Sequence, residues 1–169
     1  LEASNMFLGR TSNLLKILTN TSPQIARWFL GFLTATRQEG LGASSDVGLR
    51  GLACVKTSMT NECNYCTSHT SIYAQGLGYS EQQIALMADN KYKESDEFTV
   101  KEKLAIEWAE AVTLNKALHD GPLWDSLRAH FSDAEIVEIT LASSMINMIN
   151  RLNDTFRSEL ETTDFNKKQ

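Results

Sequence analysis

The chain has 169 residues, of which 42% are hydrophobic and 22% charged. That balance supports one packed domain of ordinary size and argues against global disorder. Sixteen Lys and Arg against 21 Asp and Glu leave a net charge of −5, so there is no basic surplus to neutralise phosphates. No stretch approaches the ~20 apolar residues of a membrane span. Leu1 to Leu18 also lacks a compact apolar run followed by a small-residue cleavage site. The expectation is a cytoplasmic protein that binds neither nucleic acid nor membrane.

A first helix is expected over Thr11 to Thr19. Ser22-Pro23 starts a second that runs to Gln38, because Pro at the first helical position sacrifices no hydrogen bond. A third spans Ser45 to Met59 and a fourth Cys63 to Gln75, with Gly76 and Gly78 as its stop. The capping box Ser80-x-x-Gln83 opens a fifth helix, to Asn90, and the polar stretch Asn90 to Phe98 reads as an exposed linker. Thr99-x-x-Glu102 opens the sixth, to Lys116, with Val100, Leu104, Trp108 and Val112 tracing one face. A short extra turn follows Pro122. Ser132-x-x-Glu135 starts the last helix, which extends to about Glu161.

No alternating strand and no Asn-Gly or Asp-Gly hairpin turn interrupts this pattern. The predicted fold is all-α, a single-domain bundle of about seven helices. Residues 1–45 form an undiagnostic N-terminal helical segment, 46–161 the helical domain proper, and 162–169 a polar tail. On the last helix Val137, Leu141, Met145, Met148 and Leu152 form one apolar stripe, and Ile136, Ile139, Ile146 and Ile149 another. So wide an arc suits a central core helix, or one that also meets a second subunit.

Of three cysteines, two lie three residues apart. Cys63, Cys66 and His69 are spaced i, i+3, i+6, so on one helix they fall within ~120° of arc. Cys63 and Cys66 can close a disulfide across the first turn, where free N–H groups favour thiolate. His69 lies within reach of a proton relay to Cys66. Two other readings fit the same residues: half of a zinc site completed by His69 with Cys54 or Glu62, or buried cysteines without chemistry. A thioredoxin fold would need βαβ units that the chain lacks. Cys54 reads as a core thiol, Asn147, Asn150 and Arg151 as buried hydrogen-bonding groups, and Trp28, Phe29 and Phe32 as core or interface.

The run Ser58-Met59-Thr60-Asn61-Glu62-Cys63-Asn64-Tyr65-Cys66-Thr67-Ser68-His69 resembles the Ser-x-x-Asn-x-Cys-x-Tyr-Cys-x-x-His signature of AhpD-like alkylhydroperoxidases, in the carboxymuconolactone decarboxylase superfamily. The likeness extends over roughly Val47 to Asp154, including Gly78 to Ile84, Thr99 to Thr113, His130 to Glu138 and Asn150-Arg151-Leu152. It implies a helical fold assembled as a homo-trimer or homo-hexamer, without cofactor or metal. The implied activity is reduction of an organic hydroperoxide. Cys66 attacks, Cys63 resolves, His69 handles protons, and an external dithiol, on a lipoyl- or thioredoxin-like protein, reduces the disulfide.

The sequence departs from the family pattern at two places. The best-known members carry a Glu twelve residues before the first cysteine, where this chain has Gly51, and a His where it has Tyr65. Glu62 stands next to the pair as a replacement relay carboxylate. Other activities compatible with the resemblance are a lactone or acid decarboxylase, whose branch generally lacks the paired cysteines, a protein disulfide reductase or redox sensor, and a non-catalytic zinc- or thiol-binding helical oligomer.

Overall fold

A computed structural model describes residues 11–161. Among them are eight α-helices and no strand: α1 (Asn13–Thr21), α2 (Pro23–Arg37), α3 (Val47–Thr60), α4 (Asn64–Gly76), α5 (Glu81–Ala88), α6 (Val100–Thr113), α7 (Gly121–His130) and α8 (Asp133–Phe156), with a 3-10 turn at Ala117–His119. None of these helices is long and apolar enough to cross a membrane. The predicted polar tail, 162–169, lies outside the described residues.

Helix α3 is the axis of the bundle. Every residue from Val47 to Ser58 is buried, which small side chains at Gly48, Gly51, Ala53 and Cys54 permit by letting neighbouring helices approach closely. Against one side, Leu49 and Ala53 meet Trp108, Leu127 and Ile139 of α6, α7 and α8. Against another, Leu52 and Val55 meet Ala74, Met87, Tyr92 and Ile106. The two cations that α3 takes inside are compensated, as buried charges must be. Arg50 donates to the carbonyls of Thr36 (2.9 Å) and Ser45 (2.5 Å). Lys56 meets Asn90 and Glu110 and lies over the Tyr92 ring, and burial lowers its pKa.

All three capping boxes form as expected, at Ser80/Gln83, Thr99/Glu102 and Ser132/Glu135. Gly78, at φ 103°, ends α4 while the Tyr79 N–H closes back to Ala74 O at 3.1 Å. Ser22 occupies the cap position before Pro23, but its side chain makes no capping bond.

Four expectations need correction. The turn after Pro122 is a ten-residue helix whose Leu123 and Leu127 enter the core. Residues 90–98 are anchored rather than free, since Tyr92 and Phe98 are buried. On α6, Leu104, Trp108 and Val112 pack on the core as expected but Val100 is exposed, and the most deeply buried residues are Ala105, Ile106 and Ala109, because steps of four drift from the 3.6-residue turn. Finally, α8 stops at Phe156, short of Glu161. Arg157 turns left-handed at φ 51°, and the Ser158 N–H returns to Asn153 O at 2.9 Å. This is the six-to-one closure that reverses a chain after a helix.

The two stripes of α8 are separated by the fold. Ile136, Ile139, Ile146 and Ile149 are buried with Met145, whereas Val137, Leu141 and Met148 are exposed. Asn150 is buried beneath α3, and Asn147 bridges Asn61 and Thr113, but Arg151 lies at the surface, bonded to the Asn147 carbonyl.

Candidate functional site

The junction of α3 and α4 builds the cysteine site. Helix α3 ends when Glu62 enters the left-handed region at φ 56°, and the Cys63 N–H closes back to Ser58 O at 3.2 Å. The chain then restarts with Cys63 as N-cap of α4. Cys63 and Cys66 form a disulfide across the first turn, Cα to Cα 5.3 Å. The Cys66 N–H points at the Cys63 sulfur (3.4 Å), and the Asn153 amide of α8 donates to the Cys66 sulfur (3.3 Å). Both donors favour negative charge on sulfur when the pair is reduced.

Cys66 and His69 open onto a cavity of about 150 Å³. Its walls come from α1, α2 and α8 as well as α4, with Leu14, Phe29, Leu33, Ile146 and Ile149 presenting apolar surface. A space of this size accepts a benzene-sized body. The N-terminal helices, undiagnostic in sequence, are therefore two of its walls. Phe29 belongs here, while Trp28 and Phe32 are exposed. At one side lies Arg37, whose guanidinium rests 5.1 Å over the Tyr73 ring and whose Nε is buried without a hydrogen-bond partner. No carboxylate lines the cavity among the described residues.

Glu62, expected in the relay, is not brought to the cavity. Its left-handed backbone serves the helix-to-helix reversal, and the residue is exposed. A carboxylate from elsewhere stands beside His69. Glu161 Oε2 lies 2.8 Å from His69 Nε2, and Oε1 accepts from the Tyr65 hydroxyl (2.7 Å) and the Asn13 N–H (2.7 Å). Burial by itself would raise the Glu161 pKa, but the Tyr65 and Asn13 hydrogen bonds and the nearby His69 outweigh it, and the net shift is downward. The Tyr65 phenol is held protonated, first by burial and then by donation to Glu161. Its ring stacks on His69 at 4.2 Å, and His69 Nδ1 lies 2.8 Å from the Tyr65 carbonyl.

Sequence reasoning missed Glu161, Arg37 and Asn153. Asn153 had a legible signal, since it repeats Asn150 one turn later on an otherwise apolar face. Glu161 had none.

Cys54 is fully buried on α3 with its sulfur toward Ala142 O, and burial raises its pKa against the pull of Arg37. With Cys54 in the core and Glu62 in solvent, the suggested zinc set does not converge. Among the described residues no three His, Cys, Asp or Glu side chains cluster for a metal.

Gly51, the position of the expected family Glu, faces α4 from within the core. A Cβ there would come within 2.8 Å of Leu77 Cδ1 and 3.5 Å of Tyr73 Cε1. A longer side chain there would have to push the half-buried Leu77 tip aside.

No family model matches the chain. It is 30% identical over 105 residues to the uncharacterized protein YdfG of Bacillus subtilis, which covers 61% of this chain and 69% of that protein. Among solved structures it is similar to a protein of unknown function from Agrobacterium tumefaciens, described as a candidate antioxidant defence protein AhpD. That likeness has a TM-score of 0.74 and 30% identity over 86% of this chain and 96% of the other. It also shares its fold with the debrominase Bmp8 in complex with 2,3,4-tribromopyrrole, at TM-score 0.81 and 20% identity over 95% and 83% of the two chains. A shared fold does not fix the chemistry, and the reaction must be argued from the site.

Gly51→Glu is expected to destabilise the protein by about 2 kcal/mol or more through overpacking and carboxylate burial. Thermal unfolding should then show Tm lower by roughly 5 °C; an unchanged Tm would mean that the site has room for the family carboxylate.

Proposed function

The chain belongs to the AhpD-like family of the carboxymuconolactone decarboxylase superfamily, and from that premise we propose that it is a cysteine-based peroxidase reducing organic hydroperoxides through the Cys63–Cys66 pair. The observation that carries this reading is the placement of Cys66, with His69, on a mostly apolar cavity while Cys63 stands behind it as a ready disulfide partner.

In the reaction, the Cys66 thiolate attacks the terminal oxygen of R–O–OH. An S–O bond forms, the O–O bond breaks, and the departing alkoxide takes a proton from His69 to leave as an alcohol. The Cys63 sulfur then attacks the Cys66 sulfenic acid, forming the disulfide and releasing water. An external dithiol supplies two electrons and two protons to restore both thiols. Helix-terminus electrostatics act on both sulfurs; Cys66 is assigned the attack because it faces the cavity and receives the Asn153 amide. The pairing of the two cysteines also favours this reading over the decarboxylase one.

The cavity suits a hydroperoxide with a compact apolar body. Arg37, a cation without a carboxylate partner among the described residues, offers a counter-charge to a substrate that also carries an acid group. Assembly as a homo-trimer or homo-hexamer would cover the exposed Val137, Leu141 and Met148 edge of α8.

Thiol counting tests the central claim. One equivalent of cumene hydroperoxide should remove two thiols per reduced parent chain. Cys66→Ser should not react rapidly, whereas Cys63→Ser should accumulate a sulfenic acid that a dimedone probe traps. A fast Cys66→Ser variant would reverse the cysteine roles, and an inert parent would refute peroxidase activity. Arg37→Gln should raise KM for a carboxylate-bearing hydroperoxide about tenfold more than KM for cumene hydroperoxide; equal changes would remove Arg37 from substrate recognition. Light scattering of the eluted protein should give three or six chain masses, and a single-chain mass would leave the α8 edge without its proposed partner.

A further inference from the structure

We propose that Glu161, on the segment following the last helix, is the positioning carboxylate that orients His69 and keeps its transferable proton in place. The proposal rests on the peroxidase reading for its role in turnover, but its structural basis is independent of substrate.

Four observations carry it. First, the two carboxylate oxygens are divided between two groups of the site, Oε2 to His69 Nε2 at 2.8 Å and Oε1 to the Tyr65 hydroxyl at 2.7 Å. Tyr65 and His69 lie one turn apart on α4 with their rings stacked, so one carboxylate spans both. Second, the carboxylate is fixed from a third direction by the Asn13 N–H at the start of α1, where an anion is favoured. The Asn13 side chain also binds the Glu159 carbonyl at 3.0 Å. Third, the segment is aimed rather than trailing. The left-handed turn at Arg157 sends it back over α1 and α4. Fourth, residue 51 is a glycine whose Cβ position already lies 2.8 Å from Leu77 Cδ1, so α3 supplies no carboxylate at that place.

Proton bookkeeping supplies the mechanism. Nδ1 faces a carbonyl and Nε2 a carboxylate, both acceptors, so the hydrogen-bond set is complete with a proton on each ring nitrogen. Release of one of these protons to the departing alkoxide breaks its bond to the carbonyl or to Glu161, and the bond that remains holds the ring in place. The carboxylate fixes the ring orientation. Among the described residues, the titratable groups facing the pair are Tyr65 and Cys66 on α4 and Arg37 on α2 across the cavity. Helix α1 contributes a main-chain N–H and α8 the neutral Asn153.

The test compares the parent chain with Glu161→Gln and Glu161→Asp, each checked for an unchanged circular dichroism spectrum. Replacing the carboxylate should change the His69 imidazole nitrogen shifts, which report the hydrogen bond at Nε2, read by NMR without any substrate. In Glu161→Gln the rate of Cys66 oxidation by cumene hydroperoxide at neutral pH should fall tenfold or more. Glu161→Asp should restore part of that rate. Unchanged imidazole shifts in Glu161→Gln would overturn the proposal whatever the substrate. So would a rate loss that is not rescued by Asp. A parent chain that shows the NMR shift but ignores hydroperoxide would refute the peroxidase reading while leaving the Glu161–His69 pairing standing.

Discussion

A helix buried on all sides is the constraint on which the rest of this structure depends. From Val47 to Ser58, α3 has no solvent-facing side, so its side chains are small or apolar, or their charges are met by partners. That burial explains why Arg50 is tied to the carbonyls of Thr36 and Ser45, and why Lys56 draws in Asn90 and Glu110. These contacts anchor the α2–α3 connection and the stretch after α5. An unpaired cation in the same position would cost several kcal/mol. The same crowding means that a side chain at position 51 would have to displace Leu77.

Two residues in the left-handed region convert this scaffold into a site. Neither Glu62 nor Arg157 is a glycine, so each backbone carries a cost of order 1 kcal/mol that the surrounding closures hold in place. Glu62 ends α3 one residue before Cys63, which makes that cysteine the cap of α4 and puts Cys66 at its first turn. Arg157 ends α8 one turn beyond Asn153, whose amide reaches the Cys66 sulfur, and directs Glu161 toward His69. The two reversals are far apart in sequence, yet their consequences meet on one face of α4.

The site is accordingly assembled in layers of different origin. The sulfur pair and the histidine belong to one helix and need little from the rest of the molecule. The apolar enclosure comes from α1, α2 and α8, and a cation without a carboxylate partner among the described residues comes from the end of α2. The apolar walls lower the local dielectric and so strengthen the charge interactions around the sulfur and the imidazole.

What the sequence determined by itself was whatever depends on residues within about one helical turn. The capping boxes at Ser80, Thr99 and Ser132, the proline start at Pro23, the Gly78 stop and the Cys63, Cys66, His69 spacing are interactions of this range, and each places its element without reference to any other. The tertiary structure alone decided that Glu62 faces solvent, that the stretch 90–98 is anchored by Tyr92 and Phe98, that α8 stops at Phe156, and that the carboxylate beside His69 is Glu161. The Tyr65–Glu161 bond spans 96 positions. No periodicity encodes such a contact, because it depends on where two helices end and which of their faces pack together. Those outcomes follow from the burial of many side chains at once, whereas a cap or a turn follows from the local chain.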